Sequence, residues 1–368
     1  MASEDSPLPV FGYDLWDKDD NAEKIKFKTP LDKLLKGELS AHAAAYNINE
    51  ILQNTTSERL RQLGAYAQSH DMTEEDREYL NWGDLPPPNA GAFAELVLDY
   101  VAILCPAFDP YTEGQNRLFA FLKALQDLPR WEGPETYPDA KGEVYTSTFW
   151  KFGLSWIGLE EAFSLQYHRV IPEDHHDAAA RNRWRNFQHT MARLTADELV
   201  DCHRFSALHD ITPGLLSELR CKFIKDYKIT AAAQWLIYPH IREYVYRMCL
   251  KNEKITYGNN WKPWAKDRWR DWKIEFEFVA GSPLYGVETR LAAARALCAM
   301  KQAEAGEDGE EMCSALRLEI EAKIMEEASS GNDEEHARDS ESGGLSELRR
   351  TLVWETSSTP CWEEYYSL

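Results

Sequence analysis

Apolar residues recur along this chain at helical spacing, and this recurrence constrains the fold more than any other feature. Between Asn116 and Leu128 the apolar positions are Leu118, Phe121, Leu122, Leu125 and Leu128, which share one helical face. Trp235, Tyr238, Ile241, Val245 and Met248 form a second stripe. Pro239 inside it predicts a kink or a division, because proline has no N–H to donate. Residues 285–303, rich in Ala and Leu, predict a further helix. Thr195-Ala196-Asp197-Glu198 fits a capping box, Thr73-Glu74-Glu75-Asp76 is a looser version, and Asp109-Pro110 places a cap before a first-turn proline. Period-two patterns bounded by turn signals are scarce. The expected fold is all-α, an irregular multi-helix bundle.

Hydrophobic residues make up 43% of the 368, and the 13 tryptophans add bulk, so the chain has ample material for a packed core. No apolar run suggests a membrane span, and Met1 to Val10 lacks the basic-then-apolar layout of a secretory leader. The seven cysteines are odd in number and show no CxxC spacing. They read as reduced core thiols of a cytoplasmic protein, with no structural metal and no cofactor implied.

The net charge of −21 is unevenly spread. Acids exceed bases by 16 over residues 1–180 and by 12 over 301–368, whereas bases exceed acids by seven over 181–300. This balance disfavours indiscriminate binding to DNA but leaves room for a local anion site. Turn-rich stretches at 83–88, 133–141 and 171–177 mark breaks. The expected organisation is an acidic helical section at 1–88 and a helical core at 89–303. An acidic linker follows at 304–344, and an aromatic tail at 345–368 is expected to dock onto the body. Within the linker, Met312, Leu316, Ile320 and Ile324 suggest an amphipathic helix, and Ala328–Gly344 reads as disordered.

Four segments carry a family resemblance: Asp109 to Pro129 (DPYTEGQNRLFAFLKALQDLP), Asn186 to Ala196 (NFQHTMARLTA), Ile229 to Ile237 (ITAAAQWLI) and Lys262 to Trp272 (KPWAKDRWRDW). Over roughly residues 90–300 the chain resembles a fungal family of helical proteins known only as a domain of unknown function. That resemblance implies a helical fold and a fungal source, and it carries no activity.

A shorter stretch points to chemistry. Asp19-Asp20-Asn21-Ala22-Glu23 reads structurally as a helix start, with Asp20 as cap and Glu23 in the first turn. The same spacing brings Asp20 and Glu23 to one face, where two carboxylates can grip a guanidinium or accept an amine proton. A Mg²⁺ reading of the prenyl-transfer kind fails, because no second metal motif has the right spacing. The stretch resembles the Asp-Asp-x-x-Glu motif of the arginine-containing cyclodipeptide synthases of filamentous fungi. The resemblance implies that Asp19, Asp20 and Glu23 are essential. It also implies arginyl-tRNA and a second amino acid or aminoacyl-tRNA as substrates.

Lys251 to Lys273 holds seven bases against three acids, interleaved with Tyr257, Trp261, Trp264, Trp269 and Trp272. Lys262, Lys266, Arg268, Arg270 and Lys273 are therefore the candidate tRNA-binding residues. The competing reading is core packing, since Trp261, Trp264, Arg268 and Trp272 fall near one helical face. Glu173-Asp174-His175-His176-Asp177 could ligate a metal, but it reads better as a solvated loop. The chain otherwise lacks a phosphate loop, a dinucleotide fingerprint and a GxSxG elbow. The expected alternative to an enzyme is a non-catalytic helical protein that binds a partner.

Overall fold

The computed structural model describes residues 15–79, 82–150, 157–173, 177–211, 222–253, 264–306 and 310–335. Among these, helices dominate and one two-stranded antiparallel sheet is present, as expected of an all-α chain. The first half holds α1 (Ala22–Leu35), α2 (Ala41–Ser69), α3 (Glu74–Glu78), α4 (Ala90–Leu104), α5 (Glu113–Asp127) and α6 (Ile157–Val170). The second half holds α7 (Ala178–Ala196), α8 (Lys222–Ala233), α9 (Pro239–Leu250), α10 (Lys266–Gly281), α11 (Val287–Ala305) and α12 (Glu310–Glu335). Strands β1 (Trp131–Pro134) and β2 (Thr146–Phe149) pair with Trp131 opposite Phe149, and their rings pack 5.4 Å apart.

One hydrophobic core runs from Leu15 to Ile324, so α1 and α2 pack into the same interior as the later helices. A small satellite forms from Leu63, Ala67 and Trp82, with Tyr137 stacked on Trp82. Leu118, Phe121, Leu122 and Leu125 are all buried, which bears out the stripe on α5. Pro239 divides its stripe by starting α9, where its missing N–H costs nothing. The Thr73 capping box is present in full. The five cysteines among the described residues, Cys105, Cys202, Cys249, Cys298 and Cys313, are buried and free of disulfides.

Other local expectations are overturned. Thr195 to Glu198 ends α7 instead of opening a helix. Leu199 N–H reaches Leu194 O and Glu198 N–H reaches Thr195 O, with Glu198 at φ 55°. That is a left-handed helix stop, and the buried Leu194 and Leu199 side chains flank it. The Thr195 hydroxyl instead donates to Met191 O and accepts from Cys202 N–H. Asp109-Pro110 does not start α5. That helix begins four residues after Asp109, at Glu113, and Asp109 turns to pair with Arg185. Gly114 permits this entry, because a Cβ there would strike the Phe108 ring.

The acidic segment is also more ordered than its composition suggests. α12 continues to Glu335, so the start of Ala328–Gly344 is helical, and residues 336–344 and the aromatic tail lie outside the described residues. Cys313 and Ile324 are buried, and Arg290–Glu327 and Arg295–Glu321 ion pairs tie α12 to α11. Ala90–Ala107, with mean hydropathy 1.6, is long and apolar enough to cross a membrane by composition, contrary to the reading of the sequence. In the folded chain it is the central helix of the N-terminal half, and two-thirds of it is buried within the protein.

Candidate functional site

The Asp-Asp-x-x-Glu stretch begins α1, but its cap is Asn21, whose side chain accepts from Lys24 N–H at 2.8 Å. Asp20 is therefore released from capping. Both its carboxylate oxygens meet Lys28 Nζ, at 2.6 and 2.7 Å, and one accepts from Asp17 N–H. The Asp20 and Lys28 side chains are only 4% and 5% exposed. The hydrogen bond from Lys28 holds the Asp20 carboxyl below its ordinary range, so it stays ionised. Lys28 Nζ also lies 4.8 Å from the centre of the Tyr100 ring.

Glu23 turns the other way. Arg59 Nη2 on α2 donates to both its oxygens, at 2.8 and 2.9 Å, while Arg59 Nη1 donates to Pro87 O. The Arg59 guanidinium also sits 4.6 Å from the centre of the Phe93 ring on α4. Glu23 thus braces α1 to α2 and to the loop before α4. Asp19 is exposed. Asp20, and neither Asp19 nor Glu23, lines the cleft between the segment before α1 and α4.

That cleft, about 540 Å³ and open to solvent, lies between the segment before α1 and one face of α4. Leu96, Tyr100 and Ile103 form its apolar wall, with Leu15 and Trp16 opposite. Asp17, Asp20, Lys18, Lys24 and Lys28 supply its charges. Trp16 is 43% exposed, whereas Tyr100 is nearly covered.

Residues 254–263 of the basic segment lie outside the described residues, and the described tryptophans are core. Trp264, Trp269 and Trp272 are buried, with Trp264 and Trp272 edge to face at 5.9 Å. Lys266 pairs with Glu253 at 2.5 Å, and Lys273 with Glu304 at 2.6 Å. Arg268 is half-buried, Arg270 is exposed, and Lys262 lies outside the described residues. Lys266 and Arg270 share a shallow second cleft of about 250 Å³ with Tyr246 and Trp269. His175 and His176 also lie outside the described residues, while Asp177 caps α7. Among the described residues no three His, Cys, Asp or Glu side chains gather as a metal site.

The sequence reading missed a buried polar layer on α7. Asn186, Gln188, His189, Thr190 and Thr195 are fully buried. Gln188 donates to Phe205 O and accepts from Ala207 N–H and from Trp235 Nε1–H at 2.8 Å, so one amide orders three segments. Arg193 donates to Asn116 Oδ1 at 2.7 Å and lies 4.0 Å from the Phe119 ring centre. The available signal was the absence of a solvated face in NFQHTMARLT, where polar and apolar residues alternate around the whole helix.

His189 is the exception in that layer. Its ring sits between Tyr111 and Tyr238, at 5.0 and 4.5 Å, and neither nitrogen has a hydrogen-bond partner among the described residues. Burial first, then Arg193 and Arg185, keeps it neutral by lowering its pKa well below the usual value. His189→Phe should therefore raise the melting temperature, since it removes two unsatisfied polar atoms worth about 1–3 kcal/mol and keeps the ring packing. A thermal melt checks this, and a clear drop would mean that the imidazole holds the fold.

These features define a helical protein with a hydrophobic core, a buried polar layer and one charged N-terminal cleft. Residues 100–276, just under half of the chain, match the family model described as "Protein of unknown function (DUF3632)", a stretch that runs from the end of α4 through most of α10. The Asp-Asp-x-x-Glu stretch lies outside the match, and the match carries no link to cyclodipeptide synthases. No curated protein and no solved structure matches the chain.

Proposed function

We propose that this chain is a tRNA-dependent synthase of arginine-containing cyclic dipeptides, with its chemistry at the N-terminal cleft. The observation that carries the reading is the position of Asp20, the motif carboxylate that lines the cleft beside Lys18, Lys24 and Lys28. The arginyl ester of tRNA is already activated, so no nucleotide site is required. A second amino acid's α-amine attacks the arginyl carbonyl, the C–N bond forms, and the tRNA 3′-oxygen leaves with the proton. The arginyl α-amine then attacks the ester carbonyl of the second residue, itself carried on a tRNA, and that tRNA's 3′-oxygen leaves with the proton as the ring closes.

Asp20, held ionised, is a poor proton acceptor and a good fixed charge. Its role in this reading is to exchange Lys28 for the guanidinium of the arginyl group. Glu23 supports the site from outside by anchoring α1 through Arg59. The direct test is expression in a heterologous host and a search of extracts for arginine diketopiperazines. Their absence from cells holding abundant folded protein would remove the reading.

The internal pairing of Asp20 with Lys28 and Glu23 with Arg59 favours a second reading, a non-catalytic helical interaction protein in which the motif is a brace. Salt dependence probes the tRNA side. If tRNA docks on α10, the combined Lys266→Ala and Arg270→Ala variant should bind arginyl-tRNA more weakly. The slope of log affinity against log salt should then fall by about 1–2. An unchanged slope would place the RNA elsewhere, with Lys18 and Lys24 at the cleft rim the next cations to replace.

A further inference from the structure

Ile274 and Phe278 stand one turn apart on α10 and are 51% and 58% exposed, and Leu284 just past the helix end is 69% exposed. Trp269, Trp272, Phe276 and Val279 take the opposite side of α10 into the core, so this strip is the helix's outer face. Arg270, one turn before Ile274, is exposed and lines the cleft of about 250 Å³ in which Tyr246 and Leu250 add apolar surface. A continuous apolar strip on so charged a chain marks an interaction surface.

Helix direction shows which part of the chain lies within reach. α10 and α11 are antiparallel: Trp269 and Lys273 donate to Glu304 near the end of α11, and Arg290 near its start donates to Ala280 O. α11 and α12 are antiparallel too, since Arg295 pairs with Glu321 and Arg290 with Glu327. α12 therefore runs parallel to α10, and the Arg290 guanidinium bridges the last turn of α10 to Glu327. α12 continues to Glu335, about 12 Å further along its axis. The 19 positions from Glu335 to Trp354 can span up to about 60 Å, and Trp362, Tyr365 and Tyr366 follow.

We propose that the aromatic tail, Trp354 to Tyr366, docks within its own chain on the outer face of α10, with its rings on Ile274, Phe278 and Leu284. Charge sets the direction. Arg349 and Arg350, upstream of the rings, suit the α10 end that carries exposed Glu277, and Glu363-Glu364 suit Arg270 at the other end. The tail thus enters where α12 leaves off and runs back along α10. Aromatic rings supply large apolar area at low entropic cost. A tether of this length holds the tail at roughly millimolar effective concentration, which favours it over a second copy of the chain.

The test is photocrosslinking in the full chain, with p-benzoylphenylalanine in place of Phe278. Peptide mapping is expected to join position 278 to residues 354–366 of the same chain. Trp354→Ala with Trp362→Ala should cut that product roughly tenfold. In parallel, chymotrypsin should cleave after Trp354 and Trp362 roughly tenfold faster in the Ile274→Ser, Phe278→Ser variant, because cleavage follows the undocked population. Both replaced side chains are exposed, so the variant should fold, and a thermal melt checks it. Cross-links between two copies, or cleavage that slows as protein concentration rises, would overturn the proposal in favour of self-association through this face. Cross-links that miss the tail, or equal cleavage of parent and variant, would overturn it as well.

Discussion

Asp20→Asn is expected to abolish arginine cyclodipeptide formation and to lower the melting temperature by roughly 4–6 °C. Asparagine keeps the shape and one acceptor but removes the charge. Lys28, 5% exposed, is then left with a buried ammonium opposite a neutral amide. Removing one member of a buried pair costs far more than replacing both. The double variant Asp20→Asn, Lys28→Met should therefore recover most of the melting temperature. It should not recover product, because the cationic substrate group has lost its anion. Product at the parental level from the double variant would reduce the Asp20–Lys28 pair to a brace and sink the synthase reading. Glu23→Gln is expected to be milder, roughly 1–2 kcal/mol, because Arg59 keeps Pro87 O and the Phe93 ring and water reaches the pair.

Acidification from pH 7 to about pH 4 should cost about 3 kcal/mol of stability through His209 alone. Burial pulls its pKa down from 6.5 to about 4, while its bond to His203 O and the Asp210 carboxylate oppose that shift. His203 and Arg268 add to the depression. Between those two pH values the unfolded chain binds a proton that the folded chain refuses. Stability is therefore lost as the pH falls through this window and levels off for this group below it. His189, fully buried and also depressed, pushes the same way. Asp197 and Asp201, held low by His240 and His203 respectively, add acid sensitivity at lower pH. His209→Gln keeps a donor for His203 O and removes the titration. Urea melts across the window should show a slope shallower by up to one proton, and an unchanged slope would mean that His209 does not carry the effect.

The gross architecture was legible because it follows from local rules. Apolar spacing alone placed α5, α9 and α11, and the proline at 239 marked a helix start through chemistry confined to one residue. The false readings had a common source. Thr195 to Glu198 and Asp109-Pro110 carry the side chains of helix starts, but those side chains found better partners across the fold. Thr195 bonds Cys202 and Met191, and Asp109 pairs with Arg185. A capping residue is one hydrogen bond worth about 1 kcal/mol, so tertiary partners readily outbid it. Likewise α12 outlasts its acidic composition because ion pairs and Ile324 fasten it to α11.

The candidate site divides along the same line. Sequence alone determined that carboxylates stand at residues 19, 20 and 23, that bases cluster near 262–273, and that the chain is rich in helix, because these are properties of order and spacing. Only the tertiary structure decided which way each carboxylate faces. Asp20 reaches the cleft because Asn21 takes over the cap, and Glu23 leaves it because Arg59, 36 residues away, lies on the other side of α1. Trp264, Trp269 and Trp272 of the basic segment went to the core because their apolar area outweighs any stacking role on the surface. Pairings of this kind depend on helices that meet far apart in sequence, and no local pattern records them.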